Sequence, residues 1–142
     1  MYLLDTNVIS ELRKSKSGRA DLNVLKWANS VSAAGMFISV ITVLEIETGI
    51  LQIERKDPAQ GDLLRSWLNT QVLPTFTERI LPVDIAVAQC CAKLHVPDPR
   101  SDRVALIAAT ALVHQLTVVT RNSSDFTTTG VEILDPWRPD LS

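Results

Sequence analysis

The sequence predicts an α/β domain on a largely parallel sheet. Two observations carry that expectation. Short apolar runs alternate along the chain with longer segments of helical period, which is the pattern of strands joined by helical crossovers. A length of 142 residues suits one ordinary domain, and such a chain can bury roughly two thirds of its unfolded surface. With 46% hydrophobic residues, five glycines and seven prolines, neither a disordered nor a fibrous class fits.

In chain order, residues 2–4 form the first strand and 7–14 a helix. A second helix covers 21–32, a strand 36–40, and two further helices 42–55 and 59–71. Residues 80–83 make the third strand and 84–94 a helix, which the Pro97-Asp98-Pro99 stretch must stop because proline lacks an N–H donor and restricts its predecessor. The segment 102–116 is nearly all Ala, Leu, Val and Ile, so it reads as a helix buried on most sides. Strands follow at 117–120 and 131–134, and Asp135-Pro136-Trp137-Arg138-Pro139 reads as an extended tail laid on the body. No internal repeat or low-complexity tract is present, so residues 1–142 read as a single domain.

Several function classes recede on composition. The formal net charge of −2 argues against a broad basic surface for gripping nucleic acid. Any such contact must be local, and the cluster Arg13, Lys14, Lys16 and Arg19 reads as a solvated run at a helix end. No apolar run is long enough to span a bilayer, and no basic leader precedes the first strand, so a cytoplasmic protein without membrane attachment is expected. Cys90 and Cys91 are adjacent on a helix, where their side chains diverge, and neither has a partner at zinc spacing. His95 and His114 read as structural residues near helix ends.

The acids are more informative. Ligands of open parallel sheets bind at the carboxyl ends of the strands, and Asp5 stands there, followed by Thr6 and Asn7, which can orient a carboxylate. Asp5 reads equally well as a helix N-cap. After the second strand come Glu45 and Glu47. Helical phase sets Glu47 nearer the apolar arc, but periodicity does not decide between them. Asn122 and Asp125 follow the fourth strand, and both can also be ordinary loop residues. Carboxylates converging from three strand ends would need a cation, and all-oxygen ligands suit Mg²⁺ or Mn²⁺. Such a site can activate water for attack on a phosphodiester without a Ser, Cys or His nucleophile.

Four segments in order resemble the motifs of PIN-domain endoribonucleases of the VapC toxin type: Leu3-Leu4-Asp5-Thr6-Asn7-Val8-Ile9-Ser10-Glu11-Leu12, Ser39-Val40-Ile41-Thr42-Val43-Leu44-Glu45 with Gly49, Ala105-Leu106-Ile107-Ala108-Ala109-Thr110-Ala111, and Thr117-Val118-Val119-Thr120-Arg121-Asn122 with Asp125-Phe126. The ending Asp135-Pro136-Trp137 is similar to a tail of the same group. The resemblance implies a three-layer α/β/α domain and a Mg²⁺- or Mn²⁺-dependent ribonuclease acting as the toxin of a toxin–antitoxin pair. It implies a homodimer restrained by a small antitoxin, and cleavage of RNA leaving a 5′-phosphate and a 3′-hydroxyl. It selects Glu45 over Glu47. Asp5, Glu45 and Asp125 become the catalytic and metal-holding acids, with Asn122 acting through water and Thr6 and Thr120 as orienting residues.

One position departs from the pattern. The family places an aspartate three residues before Ile107, where this chain has Val104. Asp102 is the nearest acid, about 200° away around the helix; it reads first as a helix N-cap, with a substitute ligand as the alternative. The resemblance therefore implies weak metal binding, a nuclease disarmed at this position, and activity created or restored by Val104→Asp. The alternative is a catalytically inactive PIN-like protein that binds antitoxin or RNA. A strand ending in aspartate also opens haloacid-dehalogenase-type phosphatases, but those need a second aspartate where this chain has Asn7.

Overall fold

The computed structural model describes residues 1–139, so the last three residues of the expected domain lie outside it. Five parallel strands form the sheet: β1 (Tyr2–Leu4), β2 (Met36–Ser39), β3 (Ile80–Leu81), β4 (Thr117–Val119) and β5 (Ile133–Leu134), in the order β3-β2-β1-β4-β5. Around them lie α1 (Thr6–Arg13), α2 (Leu22–Ser30), α3 (Val40–Lys56), α4 (Pro58–Trp67), α5 (Leu73–Thr75), α6 (Ile85–Leu94) and α7 (Asp102–His114). The register sets Leu3 opposite Phe37 and Val118, and Leu4 opposite Val119.

Strand residues alternate between faces, and this splits the core in two. Leu4, Ile38 and Val119 pack with Val8, Ile46, Ile50, Leu64 and Leu68, on the side of α1, α3 and α4. Leu3 and Val118 pack with Val104, Ile107, Ala108 and Phe126, on the side of α7. A smaller cluster of Val87, Cys91, Ala105 and Ala109 fastens α6 to α7. The mostly apolar sequence of α7 is thereby accounted for: the helix is covered by the sheet on one side and by α6 on the other. The three layers expected from the sequence are present.

Element boundaries move by one to a few residues, for local reasons. The second strand stops at Ser39, whose Oγ accepts from the Ile41 N–H at 3.0 Å and starts α3 immediately. Asp57 closes α3 and caps α4, accepting from the Gln60 N–H, with Pro58 in the first turn. The helix expected to end at 71 runs on through a π-type turn at Leu68–Val72 into α5. The N-cap of α7 is Ser101 rather than Asp102, because the Ser101 hydroxyl accepts from the Val104 N–H while Asp102 is already helical. Gln115 in the left-handed conformation ends that helix two residues before the expected limit.

Glycine matters most at Gly61, where α4 crosses α3. A Cβ there would stand 2.3 Å from Glu54 Cγ and 2.9 Å from Glu54 Cα, and the second contact is backbone that cannot swing away. Gly61→Ala is therefore expected to cost about 1–3 kcal/mol by overpacking. In urea unfolding this appears as a midpoint lowered by about 1 M with little change in slope; an unchanged midpoint contradicts the close approach.

Cys90 and Cys91 are both free thiols. Burial pushes the Cys91 thiol up, with Asp102 and Cys90 adding to the effect, in keeping with a small core residue. Among the described residues no helix is long and apolar enough to cross a membrane.

Candidate functional site at the strand ends

The sheet order reverses direction at β1, since β2 and β3 lie on one side of it and β4 and β5 on the other. Such a switch point opens a crevice beyond the carboxyl ends of the strands. Asp5 is the residue immediately after β1, and Thr120 the residue after β4. Glu45 comes from the second turn of α3, which starts directly at the end of β2.

Asp5 both caps and functions as a charge centre. Its Oδ1 accepts from the Thr6 N–H at 2.8 Å, which caps α1. Its Oδ2 accepts from the Thr120 hydroxyl at 2.8 Å and from Asn7 Nδ2 at 3.4 Å. The Thr120 hydroxyl in turn accepts from the Asn122 N–H at 3.0 Å, and Asn7 Oδ1 accepts from the Arg121 N–H at 3.2 Å, so the loop after β4 is tied to α1. Thr6 donates its hydroxyl to Glu45 Oε1 at 2.6 Å. Thr6 thus touches both acids, by its backbone on one side and its side chain on the other.

The cation between these acids is Arg103, in the first turn of α7. Its Nη1 lies 3.0 Å from Asp5 Oδ1 and its Nε 3.2 Å from Glu45 Oε2. The Asp5 side chain is 1% exposed, Glu45 28% and Arg103 29%. A buried carboxylate is tolerable only with a partner of this kind.

The remaining sequence candidates are placed elsewhere or differently. Asp125 is exposed, in a 3₁₀ turn at Ser123–Asp125. Among the described residues, no three Asp, Glu, His or Cys side chains form a group able to hold a metal ion, so Asp125 does not complete a cluster with Asp5 and Glu45. Asn122 lines a polar cavity of about 460 Å³ with Arg121, Asp135, Trp137 and Arg138. Val104 is 6% exposed and packs in the apolar cluster around Leu3. Asp102 turns away into solvent, its Oδ1 3.4 Å from His95 Nε2. Glu47 joins α3 to α4 through Arg65 at 2.5 Å.

Arg103 is the residue that sequence reasoning missed. The strand-end pattern points to acids and carries no sign of a base beside them. The available signal was a lone arginine at the start of a helix otherwise almost wholly apolar.

In this arrangement the side chains do not fit a divalent cation. Two carboxylates converge instead of three or four, and one guanidinium already bridges them. The geometry is that of a strand-end acid centre in a doubly wound α/β domain, with an arginine in the cation position.

A family model described as PIN domain matches residues 2–131. The chain is 36% identical over 146 residues to the VapC ribonuclease Y4jK of Sinorhizobium fredii, covering 98% of this chain and 99% of that protein. It is 36% identical over 143 residues to toxin FitB of Neisseria gonorrhoeae, covering 96% and 99%. The crystal structure of FitAcB from Neisseria gonorrhoeae superposes with a TM-score of 0.86 at 33% identity, covering 96% of this chain and 99% of that one. The chain belongs to the PIN-domain family, among the VapC-type toxins.

Proposed function

We propose that this chain is the toxin member of a toxin–antitoxin pair, built on the scaffold of a metal-dependent endoribonuclease whose own cleavage of RNA is weak. The convergence of Asp5 and Glu45 at the switch point carries the reading, because that is where this fold binds its ligands. Full-length similarity to a protein named VapC ribonuclease supports the ribonuclease class, and similarity to a solved toxin-antitoxin complex from Klebsiella pneumoniae supports an antitoxin as partner. The weak cleavage rests on the resemblance, which expects an acid where this chain has Val104, and on there being, among the described residues, no group of three Asp, Glu, His or Cys side chains able to hold a metal ion.

The work of the chain under this reading is recognition. The antitoxin covers the strand-end crevice, and RNA is the substrate class that the same crevice admits. A homodimer in the cytoplasm is part of the proposal. Leu44 and Leu51 are seven residues apart on one face of α3 and are 59% and 54% exposed, surface that self-association would cover.

The test has two arms. The product of the adjacent reading frame should copurify with the chain. Incubation of mixed RNA with the purified protein should give only slow cleavage with Mg²⁺ or Mn²⁺, at the level of the EDTA control. Fast, EDTA-sensitive cleavage abolished by Asp5→Ala would instead establish a working nuclease, a second reading favoured by the match to Y4jK. Failure to bind the neighbouring product in a strictly monomeric protein would remove the toxin reading.

A further inference from the structure

We propose that Arg103 is the resident cation of the strand-end acid centre: it takes over the neutralising role of a divalent ion and keeps that centre closed to metal while its side chain is in place. This stands on the contacts of Arg103 alone and does not depend on which partner or substrate the crevice receives.

Three observations converge on it. Arg103 is the residue that reaches both acids at once, through Nη1 to Asp5 and Nε to Glu45. Guanidinium is permanently protonated and presents its donors in a planar fork, so one side chain can bridge two carboxylates from different elements. Asp5, at 1% side-chain exposure, has little access to water as an alternative partner.

The placement of the arginine is the second argument. Asp102 and Arg103 are the first two residues of α7, where the helix dipole favours a negative charge and disfavours a positive one. Asp102 obeys that rule. Arg103 violates it, and the compensation lies in the two carboxylates, Asp5 just after β1 and Glu45 on α3. An arginine whose side chain merely covered a surface would gain nothing by pointing there.

The third argument is saturation. Asp5 accepts from the Thr6 N–H, the Thr120 hydroxyl and Asn7 besides Arg103, and Glu45 accepts from the Thr6 hydroxyl. A divalent ion entering this centre must displace the guanidinium or sit against it, positive charge to positive charge. Removing the guanidinium leaves two partly desolvated carboxylates facing one another, which is the arrangement that hard cations with oxygen ligands stabilise.

The experiment uses the full chain as parent, Arg103→Gln, Arg103→Lys, and Arg103→Gln combined with Asp5→Asn, each titrated with Mn²⁺. Melting temperature and the electron paramagnetic resonance signal of free Mn²⁺ are followed, so no enzymatic activity is needed. The parent should show neither a shift nor binding. Arg103→Gln should melt lower without metal, then rise by about 3–6 °C at millimolar Mn²⁺ and bind the ion at least about tenfold more tightly than the parent. Adding Asp5→Asn should erase that response. If Arg103→Gln does not fold, Arg103→Lys decides, because one ammonium cannot fork across both acids and a weaker Mn²⁺ response is expected from it. Equal Mn²⁺ affinity in parent and variants overturns the proposal, as does a folded variant that binds no more ion than the parent.

Discussion

Asp5→Ala should lower the stability of the metal-free protein by about 2–4 kcal/mol, the largest loss expected from a single substitution at the site. The carboxylate is wholly buried and serves four donors: the Thr6 N–H, the Thr120 hydroxyl, Asn7 and Arg103. Losing an N-cap costs about 1 kcal/mol, and leaving a buried hydroxyl unpaired costs about 1–3 kcal/mol. The Arg103 contribution is smaller than for a fully buried pair, since its side chain is 29% exposed and Glu45 remains within reach. For a domain of this size the sum corresponds to a drop of about 5–15 °C in melting temperature. Asp5→Asn keeps the capping oxygen but loses the charge, so it should fall between parent and alanine variant. A loss below about 1 kcal/mol for Asp5→Ala would mean that the carboxylate is not held as described.

The second large effect is on RNA cleavage and requires two substitutions together. The sequence alone suggested that Val104→Asp would suffice. The structure changes that expectation, because Arg103 would still neutralise Asp5 and Glu45, and the new carboxylate would enter a position 6% exposed among Leu3, Ile107 and Val118. A lone buried carboxylate is costly. Val104→Asp by itself should therefore destabilise the fold and leave cleavage near the parent level. Arg103→Ala with Val104→Asp removes the competing cation, so the new carboxylate in the first turn of α7 gains by leaving the apolar cluster for the vacated crevice, where a divalent ion drawn in by Asp5 and Glu45 can pair with it. This double variant should cleave mixed RNA on the order of a hundredfold faster than the parent, with full loss in EDTA and on adding Asp5→Ala. If Val104→Asp alone is as active as the double variant, Arg103 is no barrier. If the folded double variant is no faster than the parent, the acid expected at 104 has no role in this chain.

The class of fold and the places where chemistry could sit are legible in the order of residues alone. Alternating apolar runs and helical segments gave five strands in their order along the chain, and the acids that follow three of them pointed to the carboxyl edge of the sheet. Those features are legible because they depend on local periodicity and on chain position relative to a strand end. The order β3-β2-β1-β4-β5 joins residues more than a hundred positions apart, such as Asp5 and Thr120, which no local pattern reports. Tertiary structure also decided between cap and charge centre at Asp5, which proved to be both, because one carboxylate has enough lone pairs for the Thr6 N–H, Thr120 and Arg103 together. Above all it decided which residue of the α7 start faces the acids. A shift of one residue on a helix turns a side chain by about 100°, enough to send Val104 into the core beside Leu3 and Arg103 across the crevice to Asp5 and Glu45.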